Sequence, residues 1–200
     1  MPFAADDFVA DALCLDYVNT IGGHRDGEPK ETLSRYDDLL DWAAAGDVLP
    51  KSVISRLREL AAKNEGRAVR ALAEAKRIRE VIYEVFVALA DGRKPPEGGL
   101  AALNAVMPEA FGHLRLKPSP EGFEFGWALA GQDLQEPLWP VIKSAADLLL
   151  SDAAYHVREC ASETCGWLFV DLSKNKSRRW CDMRGCGNRA KIRRFRGSQD

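Results

Sequence analysis

At 200 residues and 46% apolar composition, the chain has room for one medium domain with a proper core plus a small appendage. No apolar run approaches the roughly 18 residues of a membrane span, which excludes a transmembrane helix. The N-terminus carries acids where an export signal needs Lys or Arg, so the expected compartment is the cytoplasm, with no membrane partner. The net charge of −2 conceals a division. Residues 151–200 hold eleven Lys/Arg against six Asp/Glu, a net of +5, leaving 17 basic and 24 acidic groups, a net of −7, in the first 150. That is an acidic body with a basic, polyanion-seeking end.

In chain order, DALCLDYVNTI (11–21) is an apolar stretch interrupted by Asp16 and Asn19 and opens a helix. GGHRDGEPKET is Gly-rich and charged and reads as a loop. Ser34, with Asp37 three residues on and Gly46 as a stop, brackets a helix. Lys51–Lys63 forms another, with Val53, Ile54, Leu57, Leu60 and Ala61 at helical spacing. The clearest helix runs from about Glu65 to Ala90. Val69, Leu72, Ile78, Val81, Ile82, Val85, Phe86 and Leu89 form its stripe, closed by Asp91-Gly92. KPPEGG is a linker, and a short helical segment follows around Leu100–Met107. HLRLKP and GFEFGWAL alternate apolar and polar residues around Ser119-Pro120-Glu121-Gly122 and predict the one hairpin of the body. A helix of about twenty residues, LWPVIKSAADLLLSDAAYHV, then leads into the cysteines. The fold class is mainly α (α+β). A helical N-terminal domain over residues 1–156 contains one β-hairpin, and a small treble-clef-like finger follows over 157–200.

In the finger, the spacing Cys160-x4-Cys165-x15-Cys181-x4-Cys186 sets two short cysteine pairs on either side of a loop. Cysteines in a reducing compartment serve as metal ligands more readily than as disulfides. Two knuckles, each turning two sulfurs to one point, close the tetrahedron of a structural zinc ion. Four protein ligands leave no position for a substrate water, so this metal carries no catalysis. His156 ends the preceding helix or substitutes as a ligand, and Cys14 is a buried thiol. Between the pairs, Trp167–Val170 is expected as a strand, Asp171–Asn175 as a turn and Arg178–Trp180 as the returning strand. After Cys186, GNRAKIRRFR forms a short helix with Ile192 and Phe195 inward.

The run CASETCGWLFVDLSKNKSRRWCDMRGCGNRAKIRRFR resembles the CGNR-type zinc finger, named for the tetrapeptide present here as Cys186-Gly187-Asn188-Arg189. The body resembles the ABATE domain, whose marker L-x-L-D-x-V-N-T stands here as Leu13-Cys14-Leu15-Asp16-Tyr17-Val18-Asn19-Thr20. The resemblance implies a bacterial stress-induced transcription regulator with one structural Zn2+.

Lys174, Lys176, Arg178, Arg179, Asn188, Arg189, Lys191, Arg193, Arg194 and Arg196 are the candidate nucleic-acid contacts. Lys and Arg neutralise phosphates, and Arg and Asn are types able to read base edges. DNA is the expected partner; RNA or a ribosome would be met by the same surface, and a single small finger favours a homodimer. Asp16, Asn19 and Thr20 are the candidate lining of a pocket for a small-molecule effector, with His24 and Arg25 as neighbours. They equally fit a helix end where short polar side chains bond nearby backbone. No catalytic motif is present, so no catalytic residue is assigned.

Overall fold

The computed structural model describes residues 3–196, and side chains as far as Arg193. Among the described residues there are seven α-helices and three two-stranded antiparallel sheets. None of the helices is long and apolar enough to cross a membrane. Helix α1 is Leu13–Val18, the strands β1 and β2 are Ile21–Gly22 and Lys30–Glu31, and α2 is Tyr36–Ala45. There follow α3 (Lys51–Lys63), α4 (Glu65–Ala90), α5 (Glu97–Gly112), β3 (Leu114–Ser119), β4 (Gly122–Trp127) and α6 (Trp139–Leu149). The finger contributes β5 (Val157–Glu159), β6 (Leu168–Val170) and α7 (Asn188–Arg196).

Helix α4 is the spine. It packs against α1, α2, α3, α5 and β5, burying Ala68, Ala71, Leu72, Ala75, Ile78, Ile82, Val85 and Phe86. Val69, expected in this stripe, lies one position off it and is 63% exposed. Helix α2 starts at a different carboxylate from the one expected. Asp38 Oδ2, not Asp37, accepts from the amides of Ser34 and Arg35 at 2.8 Å each, satisfying donors that the first turn leaves without partners. Helix α5 is longer than expected: it begins directly after Pro96, absorbs Gly98 and Gly99, and continues past Pro108. The expected twenty-residue helix stops at Leu149. There the Ser151 hydroxyl bonds the Leu148 carbonyl at 2.8 Å, and a 3-10 turn (Asp152–His156) redirects the chain into β5.

The hairpin β3–β4 has the expected turn, with Ser119 opposite Gly122 and Leu116 opposite Phe125. Two further strand pairs were not expected. The pair β1–β2 lies in the segment read as a loop, and no local alternation marks it. It is held from outside: buried Arg79 of α4 donates to Glu31 Oε1 and Oε2 at 2.9 and 2.7 Å, to Glu80 at 2.9 Å and to Thr20 Oγ1 at 3.0 Å. A guanidinium this buried is stable because carboxylates and a hydroxyl satisfy its fork.

The third pair changes the finger. β6 runs antiparallel to β5, with Arg158 opposite Phe169, instead of pairing with a returning strand at 178–180. Buried Leu168, Phe169 and Val170 join Val157, α1 and α4 in one hydrophobic core that crosses residue 156. Polar bonds reinforce the contact. Asn19 Nδ2 donates to the Leu168 carbonyl at 2.9 Å, its Oδ1 accepts from the Leu168 amide at 2.9 Å, and the Val170 amide donates to the Ala10 carbonyl at 2.9 Å. Asn19→Ala would orphan the two buried backbone groups of Leu168, each worth roughly 1–3 kcal/mol. Urea unfolding of the zinc-loaded variant is expected to show a loss of about 2–4 kcal/mol.

Candidate metal centre

The four cysteines of the finger converge. Their sulfurs are buried and lie within 4.8 Å of one another, with Cys165–Cys181 at 3.7 Å and Cys181–Cys186 at 3.6 Å. A tetrahedral thiolate site with metal–sulfur bonds of about 2.3 Å has edges of about 3.8 Å, so the donor set fits one zinc ion. Sulfur donors and complete protein ligation mark it as structural, with bound zinc supplying only cross-links. Without a cation the cluster is electrostatically frustrated. Hydrogen bonds from Cys165 and Cys181 hold the Cys160 thiol well below its ordinary value, and the same contacts push Cys165 and Cys181 up. A divalent ion lets all four ionise together.

The local chain explains the wide x4 gaps. The first knuckle caps the β5–β6 hairpin: the Cys160 amide bonds the Trp167 carbonyl at 2.9 Å and the Cys165 amide bonds the Ser162 carbonyl at 3.0 Å. At the second, Asp182 Oδ2 accepts from the Gly185 amide at 2.6 Å, and a wide turn (Met183–Gly187) runs into α7. Gly166 sits where a Cβ would come within 2.8 Å of the Gly23 carbonyl oxygen, so only glycine lets the first knuckle close on the β1–β2 turn. His156 stands outside the cluster. Cys14 is buried, its thiol pushed up to about 12 by burial, and is inert.

The basic candidates divide. Lys174, Lys176, Arg179, Asn188, Arg189, Lys191 and Arg193 are exposed. Arg178 is turned inward: it donates to Asp11 Oδ2 at 2.6 Å, to the carbonyls of Val9 (2.8 Å) and Trp180 (3.0 Å) and to that of Cys181, and it lies over the Phe169 ring. Its spent donors remove it from the solvent-facing set. Arg189 reaches back to Cys186 Sγ at 3.0 Å, where it offsets thiolate charge. Lys176 Nζ bonds the Asp171 carbonyl at 3.0 Å, Asn188 Nδ2 bonds the Arg184 carbonyl at 3.1 Å, and Arg193 pairs with Glu163. Ile192, expected inward, is 53% exposed. The side chains of Arg194, Phe195 and Arg196 lie outside the described residues.

Asp16, Asn19 and Thr20 are all buried and all bonded. Besides Asn19, Asp16 Oδ1 accepts from the Ala10 amide at 2.9 Å, and Thr20 Oγ1 donates to the Tyr17 carbonyl at 2.7 Å. The three also border a recess of about 210 Å³ with Phe3, Asp7, Phe8, Gly22, Thr32, Trp42 and Trp167. Burial pushes Asp16 up to about 7, only partly offset by the amides of Ala10 and Val9. A second groove of about 320 Å³ shares Asp7, Gly22 and Trp167 and continues along Cys165, Cys181 and Cys186. His24 and Arg25 border neither cavity. His24 Nε2 is 3.1 Å from the Ser162 carbonyl and its Nδ1 3.4 Å from Glu159, while Arg25 bonds Glu80 and lies over the Tyr83 ring. Trp167 was not anticipated as a wall between two cavities. The only signal was an aromatic immediately after the first knuckle, in a strand too short for periodicity to place it.

A helical body that shares its core with a closed four-cysteine centre defines a zinc-finger protein. The ABATE family model, described as "Putative stress-induced transcription regulator", matches residues 11–152, and the CGNR zinc finger model matches residues 156–198. The chain therefore belongs to the ABATE family and carries a CGNR zinc finger. A search of curated proteins gives no match.

Elemental analysis is expected to give one zinc per chain, and Cys181→Ser to abolish it. Because β6 lies in the common core, loss of zinc should lower the melting temperature of the whole chain and not merely release the finger. Asp16 gives a second test. Its folded-state value lies above the ordinary carboxylate value of 3.8, so the native state holds the proton more tightly and stability falls as pH rises between about 4 and 7. Asp16→Asn should therefore melt higher than the parent at pH 8, with the difference shrinking toward pH 5.

Proposed function

We propose that this protein is a zinc-dependent, DNA-binding transcription regulator whose acidic helical body carries the sensing or dimerising function. The observation that carries the reading is the emergence of α7 directly from the Cys186 knuckle, bearing exposed Asn188, Lys191 and Arg193 beside the Arg189 that braces Cys186 Sγ. A helix anchored at a metal-bound cysteine is held rigidly, and its cations can neutralise phosphates in fixed register. Lys174 and Arg179 extend the charge along the loop between the knuckles. The groove beside the sulfurs is lined by Asp6, Asp7 and Asp182 together with Arg189, so phosphate contact rests on the exposed cations that do not line it, Lys174, Arg179, Lys191 and Arg193.

The test is binding to duplex DNA across a salt series. Lys174→Ala, Lys191→Ala and Arg193→Ala touch no ligand sulfur, so each should weaken binding while zinc content is kept. Each should also reduce the slope of log K against log salt by about 1. Affinity indifferent to salt and to all three changes would remove the finger from nucleic-acid binding. Preference for structured RNA over duplex DNA in competition would redirect the reading to RNA.

A further inference from the structure

We propose that the recess between the N-terminal segment and Trp167 is a binding site for a small alkylammonium ion, held by the Asp16 carboxylate inside an aromatic enclosure. Phe8, Trp42 and Trp167 line the recess, the Phe8 and Trp42 rings stacked on each other with centroids 5.6 Å apart. The enclosure is firmly seated: Trp42 is 2% exposed, and Trp167 Nε1 donates to the Ile21 carbonyl at 2.9 Å. A Cβ at Gly46 would fall 2.2 Å from the Phe8 ring, so that ring is pressed against the end of α2. Aromatic faces carry negative electrostatic potential and attract cations, most strongly when these are already desolvated.

The charges point the same way. The lining contains Asp7 and Asp16 and no Lys, Arg or His, which excludes an anionic ligand. Asp16 is 9% exposed. The cation whose field reaches it, Arg178, spends its donors on Asp11 and on backbone carbonyls. Asp16 thus lacks a counterion within its own cavity, and Asp11 adds repulsion. A ligand bearing one positive charge would relieve that repulsion, whereas a neutral ligand of equal shape would desolvate the carboxylate further.

A metal ion fits less well. Among the described residues, three or more His, Cys, Asp or Glu groups come together only at the four cysteines, so the recess offers too few hard donors. The volume of about 210 Å³ lies below the roughly 300–1,000 Å³ of drug-sized pockets and suits an amine of a few carbons. The recess would bind such an ion whether or not the finger meets DNA.

The experiment is calorimetric titration of the zinc-loaded full chain at pH 8. The probes are choline, butylammonium and 3,3-dimethylbutan-1-ol, the last having the shape of choline without its charge. At least one of the two ammonium ions should bind tenfold or more tightly than the neutral alcohol. Asp16→Asn keeps an oxygen to accept from the Ala10 amide, so the fold is retained, and it should abolish the preference. A parent protein that binds neither amine, or binds neither more tightly than the alcohol by tenfold, overturns the proposal without recourse to a variant. Full retention of amine affinity in Asp16→Asn overturns it as well.

Discussion

The side chain of Asn19 does what a neighbouring strand would do. A primary amide presents one donor and one acceptor on a single plane, and both meet the backbone of Leu168 at 2.9 Å. Helix α1 thereby becomes an edge for β6, and the position of β6 fixes much that follows. Trp167, immediately before it, forms the wall of two cavities, while Cys165 and Cys160 are held by the turn that β5 and β6 share. The metal centre is thus referred to the body through one amide as well as through apolar contact.

The charge split visible in composition takes a different form in three dimensions. The excess of cations near the C-terminus is not all available to a polyanion. Arg178 belongs to the joint, threading between the N-terminal backbone and the second knuckle, and Arg189 serves Cys186. The residues left facing solvent sit on α7 and on the loop between the knuckles, and they do not line the groove beside the sulfurs, where Asp6, Asp7 and Asp182 stand with Arg189.

Much of this was legible in the sequence, and what was missed has common causes. Helices α3 and α4 begin and end where their periodicity and caps place them, because each buries a continuous apolar face against the body. The β3–β4 register followed from its turn residues, and the ligand set from cysteine spacing. The β1–β2 pair was not legible, since it exists by virtue of Arg79, some fifty residues downstream. The partner of β6 was misplaced for a similar reason: three-residue strands carry no usable alternation, and the pairing is decided by contact with α1 and α4. Asp16, Asn19 and Thr20 stand out in the sequence as polar interruptions, yet sequence cannot show that the same side chains brace the fold and border a recess.

The placement of β6 also sets an order of events in the life of the chain. Leu168 and Asn19 are separated by 149 positions, so closing the wall over α1 carries a large loop-closure cost, which the intervening helices and a metal-bound finger would reduce. Until β6 docks, α1 lacks the strand that packs on it, and such a species is open to proteases and to association through exposed apolar surface. Zinc supply in the cell would therefore govern how much of this protein accumulates, through the survival of newly made chains.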